Sequence, residues 1–386
     1  MKIVFISNYH NHHQIPLCDA FVNAIGDGFI FVATEKVPEE RIKFGYKHEF
    51  DTLSYYREVQ NYDDEILIEK LCYESDIVIL GSAPISYVQR RIKDGMLTFS
   101  YSERLFKEGF WKHPGDIYRA IKKFTMLNNN NFYQLCASAY TASDAERIFA
   151  FPNRSLKWGY FPKINSYDID KLISCKPQKK IKLLWCARFL DWKHPEKAIL
   201  IAKKLKELGC VFEMEFIGNG ELFDTVVKIA EEENLLDCIN FIGAVSSDEV
   251  RKYMEQANIF LFTSDRNEGW GAVLNEAMNS GCCVVASHAI GSVPFLIKDN
   301  FNGMIYKDND FEELFIKVKT LIDNPAKRNI ISKNAYHTMI REWNAENAVS
   351  KFLEVSREIF QGNTKNNFFE EGVCSTAENL KDDWYK

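Results

Sequence analysis

The stretch 265–281, DRNEGWGAVLNEAMNSG, constrains this chain most. Two carboxylates, Glu268 and Glu276, have seven residues between them, Gly269, Trp270 and Gly271 first and then the apolar run Ala272-Val273-Leu274 and Asn275. One apolar strand candidate precedes it at 258–262 and another follows at 282–286. Strand, glycine-rich turn, helix, strand is the repeating unit of a parallel α/β sheet. In such sheets ligands sit outside the carboxyl ends of the strands. The turn at 264–271 would lie there, with a helix N-terminus behind it. Unpaired backbone N–H groups and the helix dipole favour an anion at such an end, and glycines let it approach the backbone closely. The spacing predicts Glu268 in the turn and Glu276 on the second turn of the helix, so that both carboxylates reach one cleft.

The same alternation runs through the whole chain. Strands are expected at 2–7, 29–34, 76–81, 96–101 and 132–138, with helical patterns between them. Residues 161–180 change character, with Pro162, Pro177 and a lysine-rich end. A second series then begins with strands at 181–187, 212–218 and 239–243. The expected organisation is a first doubly wound domain at 1–165, a linker at 166–180, and a second at 181–345. Helices at 346–386 would end in a polar, aromatic-tipped tail from 361 that the pattern does not place. A length of 386 residues suits two domains.

Composition narrows the function classes. A 46% hydrophobic and 26% charged chain is that of an ordinary soluble globular protein. A net charge of −6 argues against nucleic acid as the main partner. Ten cysteines are scattered without a C-x-x-C pair, which reads as a reducing compartment without structural disulfides or zinc. The first apolar run is too short for a signal peptide and no run is long enough to cross a bilayer. A cytoplasmic protein is expected, with peripheral contact at the cytoplasmic membrane face left open.

The string EGWGAVLNEAMNSGCCVVAS resembles the E-x7-E segment of retaining glycosyltransferases of the GT-B fold, family 4 (glycosyl transferases group 1). Trp270 stands where the family usually has Phe, and Cys283 where Pro is usual. Three further stretches of the second domain share the likeness. Ala187 to His194, ARFLDWKH, is similar to G-R-L-x-x-x-K-G; FIGNGE at 216–221 to I-V-G-x-G-P; and FIGAV at 241–245 to F-x-G-x-V. The resemblance implies two Rossmann-like domains facing a central cleft, with the last helices crossing back onto the first. It also implies transfer of a sugar from a nucleotide-diphosphate donor to a glycan or lipid-diphosphate-linked acceptor, in surface polysaccharide biosynthesis by family habit.

The likeness also implies roles. Arg188 and Lys193 neutralise the departing nucleoside diphosphate; a forked guanidinium and a point-charge ammonium five residues apart suit one. Glu268 contacts the transferred sugar and reacting centre, while Glu276 accepts the ribose hydroxyls. Gly218, Gly220 and Val245 border the nucleotide, and Gly269, Trp270, Gly271 and Ala272 form the turn facing the donor. No D-x-D stands in a suitable loop, so no cofactor and no obligatory metal are expected. Surface charges, a solvated helix face and tight strand-to-helix packing are the plainer accounts of these same residues.

The first domain departs from the family. Its first loop, NYHNHHQ at 8–14, lacks the usual glycines. His12 or His13 could donate to phosphate or activate an acceptor hydroxyl, and three histidines in four positions could also bind a metal; a solvated polar loop is the alternative. Tyr101 and Glu103 stand near the place of a family histidine. Residues 88–123 hold nine Lys or Arg against four Asp or Glu, with aromatics interleaved, so contact with anionic membrane is a further candidate beside a solvated face. Rival readings are a non-catalytic nucleotide-sugar-binding partner, a GT-B nucleotide-sugar epimerase and a pyridoxal-dependent phosphorylase.

Overall fold

Apolar runs without a polar break become strands buried on both faces, as parallel sheets require. In the computed structural model, which describes residues 1–39, 50, 52–363 and 367–385, they form two sheets. The first comprises β1 (Ile3–Ser7), β2 (Phe29–Ala33), β3 (Tyr56–Glu58), β4 (Ile77–Leu80), β5 (Thr98–Ser102), β6 (Phe132–Cys136) and β7 (Ser155–Lys157). Their order is β3-β2-β1-β4-β5-β6-β7, every pair parallel. The second comprises β8 (Ile181–Cys186), β9 (Phe212–Ile217), β10 (Ile239–Gly243), β11 (Ile259–Phe262), β12 (Cys283–Ser287) and β13 (Met304–Tyr306). Their order is β10-β9-β8-β11-β12-β13, again all parallel. Both orders reverse once, between β1 and β4 and between β8 and β11. These are the switch points at which doubly wound sheets open a ligand crevice.

The chain divides into two compact units, 1–163 with 343–382, and 164–342 with 383–386. In the first, Val4, Ile6, Val78 and Leu80 pack against Val88, Ile92, Phe124 and Phe151. In the second, Leu183, Trp185, Phe216 and Val285 pack against Ile201, Leu205 and Val318. Each such buried side chain is worth roughly 1.5–3 kcal/mol. Within 166–180, the helix Ile169–Cys175 packs on Tyr336 of the second unit. The helix Ala345–Phe360 belongs to the first unit, where Phe352 meets Phe21 and Phe99. Residues 373–377 pair with the edge of β7, through Cys374 N to Lys157 O and Ala377 N to Ser155 O.

Two of the basic residues in 88–123 are internal rather than on a solvated face. Arg91 is fully buried and donates to the carbonyls of Cys72, Ser75 and Leu97 and to Thr98 Oγ1. Arg104 is buried against Asp144 (3.4 Å) and Asp382 (2.9 Å).

Candidate functional site

All strands of the second sheet run one way, so the segments after β8, β9, β11 and β12 leave from one edge. After β8 the chain runs through Arg188 into a short 3-10 turn, Asp191–Lys193. This loop lies against the loop after β9, and glycine is what allows it. A Cβ on Gly218 would stand 2.0 Å from Ala187 O, and one on Gly220 2.6 Å from Phe189 O. Phe189 N donates to Asn219 O and Leu222 N to Phe189 O. Gly218 and Gly220 therefore seat the backbone that carries Arg188. Arg188 is half-buried and makes no ion pair among the described residues.

Across the switch point, the turn after β11 is tied to the same loop. Asp265 N donates to Trp192 O, and Thr263 Oγ1 donates to Lys193 O while accepting from Trp185 Nε1. Lys193 and Glu268 thereby meet: Lys193 Nζ donates to Glu268 Oε2, and both side chains are largely buried. Ser264 Oγ donates to the same carboxylate oxygen at 3.0 Å, and the Trp192 ring lies 4.1 Å from the lysine nitrogen. A buried charge pair is tolerated only with partners of this kind.

The turn itself is held from beneath. Gly271 has φ +78°, and a Cβ there would meet Phe262 at 2.3 Å. The Trp270 ring is fully buried, its Nε1 donating to Asn275 Oδ1 and its carbonyl accepting from Ser292 Oγ. Gly269 and Ala272 are buried beside it, and Gly291 N donates to Glu268 O. Because Gly269-Trp270-Gly271 is turn, the helix Val273–Asn279 begins later than expected and Glu276 falls in its first turn, not its second. Arg251 fixes that helix by donating to Glu276 O, and Lys176 Nζ donates to the carbonyls of Met254, Ala257 and Ser280. Glu276 and Lys193 share a neighbourhood: burial pushes the Cys186 thiol up to about 12, with Glu276 adding to the rise and Lys193 opposing it. Val245 is half-buried just after β10.

The first-unit candidates are placed differently. His12 and His13 stack ring to ring at 3.8 Å after β1. Tyr101 is buried and donates to Gly159 O; Glu103 pairs with Lys107 at 2.5 Å and accepts from Tyr160 OH at 2.7 Å. Their hydrogen bonds hold the first unit's own strand ends together. The metal alternative for the histidine run is not supported: among the described residues no group of three or more His, Cys, Asp or Glu side chains could hold a metal ion. His10, which the sequence did not single out, is wholly buried among Phe31, Phe50, Tyr55 and Tyr56.

Sequence reasoning also missed Ser264, Thr263, Trp192 and His194, whose partners lie across the switch point. His194 was visible only as a departure from glycine.

Two doubly wound parallel-sheet units, each with one switch point, are the architecture of the GT-B fold. Residues 168–338 match the family of glycosyl transferases group 1. An uncharacterized glycosyltransferase of Methanocaldococcus jannaschii is 30% identical over 197 residues, 50% of this chain and 49% of that protein. The amylovoran biosynthesis glycosyltransferase AmsK of Erwinia amylovora is 32% identical over 139 residues, 35% of this chain and 34% of its own. The alignments thus span half or less of these relatives. Among solved structures, a glycosyltransferase of Rickettsia africae superposes with a TM-score of 0.70 at 15% identity, covering 93% of this chain and 98% of that one. Anabaena HepE in complex with UDP gives 0.69 at 16%, covering 92% and 100%. At these identities the structures speak for the fold: both units, in order, are those of GT-B proteins.

Proposed function

We propose that this chain is a retaining glycosyltransferase, hexosyltransferase-like, that moves a sugar from a nucleotide-diphosphate donor to a glycan or lipid-linked acceptor. The observation that carries the reading is the meeting of Lys193 and Glu268 at the second switch point, with Arg188 on the lysine's own loop. Cleavage of the donor leaves negative charge on the diphosphate and oxocarbenium character on the sugar. Arg188 and Lys193 supply positive charge where the first develops, preorganised and partly desolvated. Glu268, which Lys193 and Ser264 hold, is assigned to the second. Stabilising the leaving group on the face at which the acceptor attacks gives retention. The scheme requires no obligatory cation and no cofactor. Glu276 is assigned to the ribose hydroxyls, and the name of AmsK supports a setting in surface polysaccharide biosynthesis.

The test is a panel of nucleotide sugars, scored by thermal shift and by released nucleoside diphosphate, with and without EDTA. EDTA-resistant release that Arg188→Ala abolishes without loss of fold is expected. Unchanged turnover in that variant would remove the diphosphate clamp, and tight donor binding without turnover under any acceptor would favour the non-catalytic rival.

A lipid-linked acceptor would require approach to a membrane, and the first unit has a surface suited to one. Trp111, Tyr118, Met126 and Phe149 are 81, 67, 74 and 82% exposed. Phe110 beside Trp111 meets Arg147 at 5.7 Å, and Thr125 Oγ1 donates to Ile148 O, so the segments carrying Trp111 and Met126 both meet the one carrying Phe149. Phe149 has φ +55°, a strained conformation for a bulky residue. Lys112, Arg119, Lys122 and Arg147 are exposed on the same segments. Sedimentation with vesicles containing anionic lipid, lost in Trp111→Ala/Phe149→Ala and weakened by salt, is the expected behaviour; equal binding to neutral vesicles would overturn it.

A further inference from the structure

His194 occupies a left-handed backbone position, φ 51° and ψ 55°, between the Asp191–Lys193 turn and the helix Pro195–Glu207. Glycine takes this conformation without strain, whereas a side chain there carries a cost. What the side chain does explains its presence. Nδ1 lies 2.8 Å from Glu196 Oε1, and Nε2 lies 3.5 Å from Asp265 Oδ2. Only an imidazolium has a donor on both nitrogens. Asp265 opens the turn that carries Glu268: its carbonyl accepts from Glu268 N and its carboxylate from Asn267 N.

We propose that His194, as an imidazolium, is a positioning residue for the anion-binding loop, clamping the Glu268 turn to the Lys193 loop and neutralising Asp265 and Glu196 where a diphosphate must approach. The proposal rests on the diphosphate reading above. Removing this cation leaves two carboxylates uncompensated beside Arg188 and Lys193, which weakens the pull on an anion. The further charge acting on the ring is Lys197, itself held at 2.9 Å by Asp308.

The electrostatics agree with the geometry. Hydrogen bonds to Asp265 and then Glu196 raise the His194 imidazole from 6.5 to about 9, against burial and Lys197. Burial works to raise Asp265, yet its bonds to His194 and Asn267 bring it below the usual carboxylate range. A raised pKa means that the imidazolium's contribution is complete below about 6.5 and is lost as pH rises through about 9.

Two measurements on the full chain test this. The first follows the imidazole by NMR with labelled histidine. Titration of His194 near pH 9, with the amides of 265–268 shifting at the same pH, is expected; titration near 6.5, or silent amides, would overturn the proposal. The second is uridine diphosphate affinity against pH for the wild type, His194→Gly and His194→Asn. Both replacements suit the left-handed backbone, so a merely structural role predicts some loss of stability with unchanged affinity. The expected result is a chain that still folds, with a lowered melting temperature at pH 7, whose affinity at pH 7 falls about tenfold, with the alkaline limb near 9 gone. Wild-type affinity in both variants would sink the idea. Failure to bind any nucleoside diphosphate would instead sink the transferase reading, and the imidazole titration would still decide the role of His194.

Discussion

At the scale of single residues, burial without a partner sets the sharpest expectations. Lys193 and Glu268 are buried together, so removing one leaves the other stranded. Lys193→Ala should cost about 3 kcal/mol of stability as well as transfer, whereas Lys193→Ala/Glu268→Gln should recover part of the stability and none of the activity; denaturant melts and released nucleoside diphosphate measure both. His10 is a second case. Desolvation lowers its imidazole from 6.5 to about 4, with the Asn11 backbone opposing the fall. The unfolded chain therefore binds a proton that the folded one refuses, and stability should fall as pH drops from about 6.5 to about 4. At about 1.4 kcal/mol per pH unit the loss reaches about 3 kcal/mol. His10→Phe, which suits the surrounding aromatic rings, should flatten that part of the stability curve, and an unchanged slope would refute the assignment. Glu268 and Arg188 were legible from their string of neighbours. His10 was not, because nothing in NYHNHHQ says which histidine turns inward.

At the scale of elements, loop-to-loop seating decides the site. Gly218 is pressed so closely on Ala187 O that even a methyl group has no room. Gly218→Ala should displace the 187–193 loop, weaken nucleoside diphosphate binding at least tenfold and cost about 2–4 kcal/mol. Calorimetry with a thermal melt reads both, and Gly209→Ala, at a helix end with open space around it, serves as the comparison. The two glycines of G-x-G were read as bordering the nucleotide or as packing; their contacts show the packing directly. The strands 29–34, 76–81 and 132–138 were readable because continuous apolar runs are the signature of parallel sheets. β3, β7 and β13 were not, since each is three residues long and earns its place through a neighbour already in the sheet.

At the scale of the whole molecule, the tail matters out of proportion to its composition. Val373 and Cys374 are fully buried, residues 373–377 cover the edge of β7, and Asp382 completes the surroundings of Arg104. Beyond it, Tyr385 belongs to the second unit, donating to Ile305 O and Glu313 Oε1. Ending the chain at 362 should expose an unpaired strand edge and leave Arg104 with half its compensation. A lower melting temperature and concentration-dependent aggregation in size-exclusion chromatography are expected, and a monomeric truncation of wild-type stability would contradict this.

The sequence by itself determined the periodicity: two series of apolar strands, the turn bearing Glu268 and the loop bearing Arg188 and Lys193. Those are local properties, written in runs of residues that bury themselves or break a helix. Only the tertiary structure decided that Lys193 Nζ reaches Glu268, that Gly218 and Gly220 seat the cationic loop, that His194 bridges two carboxylates, and that the polar tail is an edge strand's cover. Those pairings join residues tens to hundreds of positions apart, and only the strand order and packing of the finished sheets bring them within a few ångströms.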